Sequence, residues 1–157
     1  MVKKIDVLEN KTLKLQNVLS YEILLNMEDN FDMNVELSKM DIYIRTHGAK
    51  QVGPLIQFSE ISSEVEMPVK AFFLIQADKY ITNVVPPYSM ESVRRVKNCL
   101  YARFIGQQDK IKVAYDKLNV YAYENEIELK GDVYTIFLKH DIESDEIVAD
   151  IFMPLKD

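Results

Sequence analysis

Few residues in this chain could carry covalent or acid–base chemistry. There are two histidines, His47 and His140, and one cysteine, Cys99. His47 falls on an apolar helical stripe near a helix C-terminus, where the dipole favours a cation, and reads as structural. His140 stands beside Lys139 and Asp141 and reads as a solvated turn residue. Cys99 lies inside an apolar strand, the setting of an inert buried thiol rather than of a nucleophile. No Gly-x-Ser-x-Gly elbow and no Gly-rich phosphate loop occurs. Asp141, Glu143, Asp145 and Glu146 resemble an acidic ligand loop. The calcium pattern, however, needs a loop glycine and a glutamate where this chain has Phe152, so a solvated hairpin loop is the expectation. On these grounds no catalytic residue, metal or cofactor is assigned, and the chain is not expected to be an enzyme.

Binding chemistry is better represented. Arg94-Arg95, with Lys97 beyond, alternates with Val93 and Val96 and is flanked by Glu91, as a charged strand face that discourages aggregation would. With 25 acidic against 19 basic residues the net charge is −6, which opposes direct nucleic-acid binding. Arg103 follows Tyr101 by two positions, so both project from one strand face. There Arg103 either binds an anion or pairs across strands with a carboxylate such as Asp150. Nine Tyr and seven Phe supply aromatic surface without any Trp. Tyr115 and Tyr121 fall on a helical stripe, whereas Phe58, Tyr101 and Phe137 fall on strands and are candidates for a groove wall.

The elements that must position these residues are legible in the hydrophobic pattern. Val18–Leu25 reads as a strand, and polar Asn26–Asn30 breaks it. Met33, Leu37, Met40, Ile44 and His47 form one stripe of a helix, with Asp32 or Asn34 as cap and Gly48 as its left-handed end. Leu55–Phe58 and Glu64–Ile75 read as paired strands, with Pro68 limiting the second. Pro86-Pro87 marks a junction. A strand over Ser92–Ile105 is expected to end at Gly106. A second helix places Ile111, Ala114, Tyr115, Leu118, Tyr121 and Ala122 at helical spacing, and strands over Val133–Leu138 and Ile147–Met153 close the chain.

At 157 residues with 48% hydrophobic content, one domain with a full core is expected. No apolar run approaches the roughly 18 residues of a membrane span. The lone cysteine and the missing signal peptide suggest a reducing cytoplasm.

Both halves have the order strand, helix, strand, strand. Asn17-Val18-Leu19 answers Asn98-Cys99-Leu100, Gly53 before Leu55 answers Gly131 before Val133, and Met67-Pro68-Val69 answers Met153-Pro154-Leu155. A duplicated unit leaves this kind of trace. The predicted fold is α+β: two tandem strand-helix-strand-strand repeats forming one curved antiparallel sheet with two helices on one face. Repeat one covers about 15–76, the linker about 77–91 and repeat two about 92–155, in a single domain of 1–157.

Leu100–Gly106, Ala114–Leu118, Gly131–Leu138 and Ile151–Leu155, with Gly53-Pro54 and Pro68-Val69 in the first half, resemble the gyrase-inhibitor-like effector-binding domain of bacterial transcription activators. The resemblance runs from about Val18 to Leu155 and implies a small-molecule groove between the repeats. The chain lacks the length for an added DNA-binding domain, so the stand-alone form is implied. It departs from the family where a groove glutamate is common, with Thr135 at that position, and Phe137 stands where tyrosine is usual. A hydroxyl cannot supply the attraction of a buried carboxylate, so an apolar or aromatic ligand is expected rather than a multiply charged cation. Phe58, Tyr101, Thr135 and Phe137 would form the wall and Arg103 the polar anchor. The alternative is a protein-interaction or chaperone-like accessory module receiving a protein segment, of the sort found beside secreted toxins in Gram-positive bacteria.

Overall fold

The computed structural model describes residues 2–23, 32–61 and 69–157. Among them are two helices and six strands: β1 (Leu8–Ile23), α1 (Met33–Thr46), β2 (Gln51–Ile61), β3 (Val69–Ala77), β4 (Tyr88–Gln107), α2 (Lys112–Glu124), β5 (Val133–Asp141) and β6 (Glu146–Pro154). The class is α+β, as expected. The chain divides into two compact units, Lys14–Arg95 and Met1–Leu13 with Val96–Asp157.

In the 14–95 unit, β3 pairs antiparallel with both β1 and β2. Strand alternation sends Leu19, Tyr21, Phe73, Ile75 and Ala77 to one face. They form a core there with Met40 and Ile44, the middle of the α1 stripe. The ends of that stripe differ from expectation. Met33 is 44% exposed, and His47 is an exposed C-cap whose ring lies 4.4 Å from that of Tyr43. Asp32 caps the helix by accepting the Asn34 N–H. At the other end Gly48, at φ +75°, donates to Arg45 O and Ala49 to Ile44 O. This paired closure needs a left-handed residue.

In the other unit β6 pairs antiparallel with β4 and β5. Leu100, Ala102, Phe104, Ala149, Ile151 and Met153 pack beneath Ala114, Leu118 and Ala122 of α2. The N-terminal segment belongs here too. Ile5 is buried in this core, and the Lys3 N–H donates to Ile105 O at 2.9 Å. That explains Gly106, which does not end β4: a Cβ there would meet the Phe104 ring at 3.0 Å and the Val2 backbone at 3.2 Å. Its role is close approach, not termination.

The element order strand, helix, strand, strand occurs twice. One of the matched endings does not hold: Val69 opens β3, whereas Pro154 closes β6. Met67 and Pro68 lie outside the described residues, as do Leu24, Leu25 and Asn26–Asn30.

Candidate functional site

The sheet of the second unit has one face under α2 and one that α2 leaves uncovered. Cross-strand partners share a face, so the register assigns each side chain. Tyr101 pairs with Phe152, which pairs with Tyr134; Arg103 pairs with Asp150, which pairs with Ile136. These six residues lie on the helix-free face. Ala102–Ile151–Thr135 and Phe104–Ala149–Phe137 alternate with them and lie on the α2 side.

The residues expected to form one wall are therefore divided. Thr135 is 3% exposed, and its hydroxyl lies 2.6 Å from that of Tyr115 on α2. Phe137 packs against the α2 core. Neither shares a face with Tyr101 and Arg103. The physical reason is the two-residue period of a strand: the position implied by the resemblance fell one residue away from the helix-free face, and one residue reverses the direction. Tyr134 and Ile136 are the β5 residues that the sequence reading missed. Strict alternation from Tyr101 could not find them, because the β4–β6–β5 register is a tertiary property.

Tyr101 and Arg103 do come together, on Asp150. The Tyr101 hydroxyl donates to Asp150 Oδ1 at 2.7 Å. Arg103 donates through Nε to Oδ1 at 2.7 Å and through Nη2 to Oδ2 at 3.1 Å. The carboxylate side chain is 14% exposed and the guanidinium side chain 51%. Burial, then the hydrogen bond to Asp150, pushes the Tyr101 phenol up to about 12. It is thus a neutral donor at any ordinary pH. Arg103 is held firmly protonated, first by its hydrogen bonds to Asp150. The Tyr101 and Phe152 rings lie 5.0 Å apart at 50°. Both are half-buried. A fixed negative centre does exist on this face, contributed by β6 rather than β5, and the protein neutralises it with its own arginine.

Phe58 belongs to the 14–95 unit, on the face of its sheet away from α1. It pairs with Phe72 in register, and the two rings stack at 5.6 Å and 26°. The Arg94 guanidinium lies 5.1 Å from the Phe58 centroid and donates to Glu91 at 2.7 Å. Arg94 is thus partly buried against an aromatic ring, not only a solvated strand charge.

The residues set aside as unreactive have ordinary settings. Cys99 is fully buried, donates weakly to Val96 O at 3.6 Å, and is pushed up to about 11 by burial. His140 lies within β5 rather than after it and contacts Asp145 at 2.8 Å. In the acidic loop Asp141 accepts the Glu143 N–H, and Ser144 accepts that of Glu146. These carboxylates and hydroxyls build a turn. Among the described residues no helix is long and apolar enough to cross a membrane.

No protein-family model matches the sequence, and no curated protein matches it. Solved structures do share the fold. The EcmrR C-terminal domain is similar at 13% identity and TM-score 0.65, with 98% of each chain covered. The same protein in an EcmrR–DNA complex is matched at 14% identity and TM-score 0.60; this chain covers 57% of its length. SAV2435 bound to tetraphenylphosphonium is matched at 8% identity and TM-score 0.54, over 98% of this chain and 94% of that one. A hydrolase from Listeria innocua is matched at 10% identity and TM-score 0.55, over 98% of this chain and 92% of that one. The fold is therefore that of the EcmrR C-terminal domain and SAV2435, in line with the effector-binding resemblance.

Proposed function

We propose that the chain is a small-molecule binding domain whose ligand is apolar or aromatic, and that it binds without turnover. The observation that carries this reading is the half-buried Tyr101–Phe152 pair on the sheet face that α2 leaves uncovered. Aromatic rings in such a position offer stacking area to a ligand while their backbone stays fixed by the sheet. The fold shared with SAV2435, which was solved with a tetraphenyl compound, supports the same reading. Fold alone does not determine function, so the weight rests on the rings and on the neutralised Asp150 beside them.

We also infer that the two units descend from one strand-helix-strand-strand element. Asn17 and Asn98 both have left-handed backbones, at φ 51° and 62°. Leu19 pairs with Ile75 as Leu100 pairs with Met153. Ser20–Leu74–Ile56 has the register of Tyr101–Phe152–Tyr134. The matching strand register supports duplication over coincidence among short apolar runs.

The test is a titration with triphenylphosphine oxide, an uncharged aromatic probe, followed by thermal unfolding. Binding raises the unfolding temperature in a concentration-dependent way through mass action, and Phe152→Ala weakens the effect. No shift with this probe or with a panel of uncharged aromatics would overturn the reading. Co-purification of one specific polypeptide in that case would turn the assignment to a protein-interaction module.

A further inference from the structure

A carboxylate that is mostly buried beside aromatic rings is a strong attractor for a cation, because both its charge and the ring faces act in a medium poorer in water. Asp150, beside Tyr101 and Phe152, has those surroundings. Here the attracted cation is part of the chain. Arg103 grips both oxygens of Asp150 in a fork, the geometry in which a guanidinium binds a carboxylate best. The other unit repeats the theme, with the Arg94 guanidinium over Phe58 and bonded to Glu91.

We propose that Arg103 sets the charge preference of the helix-free face: by occupying Asp150 it withholds the carboxylate from organic cations and leaves the rings to uncharged aromatic molecules. The proposal rests on the reading of this face as a ligand site and adds the residue that selects the ligand's charge. An organic cation gains the attraction of Asp150 only by displacing a two-pronged, charge-assisted contact. An uncharged molecule meets no such competition and needs only ring surface. Tyr101, which donates to the same oxygen as Arg103 Nε, holds the carboxylate in place whether or not the arginine is present. Asp150 is therefore positioned to accept a foreign cation once Arg103 is removed.

The experiment compares tetraphenylphosphonium with triphenylphosphine oxide, two probes alike in their phenyl groups and different in charge. Both are titrated calorimetrically into the full chain and into Arg103→Met and Arg103→Met/Asp150→Asn, each checked for native circular dichroism. The unaltered chain is expected to bind the oxide in preference to the phosphonium. Arg103→Met is expected to raise phosphonium affinity relative to oxide affinity by about tenfold or more, the scale of one unscreened charge pair. The double variant should lose the gain. If Arg103→Met does not fold, Arg103→Gln, which keeps a hydrogen bond to Asp150 without the charge, provides the same comparison. Oxide binding with unchanged phosphonium affinity in the single variant would overturn the role of Arg103 and leave the ligand face intact. A phosphonium gain that survives in the double variant would also overturn it, since Asp150 would not be the attractor. Absence of binding by either probe in every variant would overturn this proposal together with the reading beneath it.

Discussion

The Tyr115 hydroxyl on α2 and the Thr135 hydroxyl on β5 lie 2.6 Å apart inside the second unit. This contact joins helix to sheet through two polar groups in an otherwise apolar layer, and it takes Thr135 out of contention for the helix-free face. Burial raises the Tyr115 phenol above its ordinary range, partly offset by the bond to Thr135. Thr135→Val is expected to cost about 1–2 kcal/mol, because the phenol loses its partner while staying largely out of water. Adding Tyr115→Phe should recover part of that cost, since both polar groups are then gone. Urea unfolding of the two single variants and the double variant checks this. Additive losses would mean the hydroxyls are not coupled.

Both helices end in the same backbone closure, but with different residues at the left-handed position. After α2, Glu126 has φ 55° and donates to Tyr123 O, and Ile127 donates to Ala122 O. Gly48 occupies the corresponding place after α1. A glutamate with a Cβ bears a steric cost there that glycine does not. Glu126→Gly is expected to raise stability by about 1 kcal/mol, read as a higher unfolding midpoint. A lower midpoint would show that the glutamate side chain contributes something the closure does not reveal.

The Tyr101 phenol is pushed up to about 12, so folding favours its neutral form. Its contribution is complete below the ordinary tyrosine value of about 10 and is lost as the pH rises towards about 12. Tyr21, Tyr88, Tyr115 and Tyr121 are raised as well, so the unaltered chain alone does not isolate the effect. The stability difference between the chain and Tyr101→Phe should shrink across that window, measured by urea unfolding at stepped pH. A difference that stays constant would place the hydroxyl's contribution elsewhere.

Cys99 is expected to resist thiol reagents in the folded protein. It is fully buried and its thiol is pushed up to about 11 by that burial, so thiolate is scarce and reagents have no access. Labelling with an aromatic disulfide at neutral pH should proceed only as fast as the protein opens, and rapidly in urea. Fast labelling under native conditions would mean that the β4–β6 pairing around Cys99 opens easily.

Local order was readable from residue types because local physics produces it. The α1 stripe of Met40 and Ile44, the Asp32 cap and the Gly48 closure each follow from spacing or from a side chain's reach to its own backbone. The alternation of β6 and the break at Pro86-Pro87 are equally local. The helix end at Glu126 escaped notice because no glycine announces it, and Gly106 misled because a close approach by Val2 is invisible along the chain.

What the sequence by itself determined is which residues could alternate on a strand, including the shared face of Tyr101 and Arg103 and the possible pairing of Arg103 with Asp150. Only the tertiary structure decided which face that was, and which β5 residues joined it. The β4–β6–β5 register put Tyr134 and Ile136 beside them and turned Thr135 and Phe137 towards α2. The reason is geometric: side-chain direction reverses at every residue of a strand, so one position of uncertainty in register exchanges a binding wall for a core.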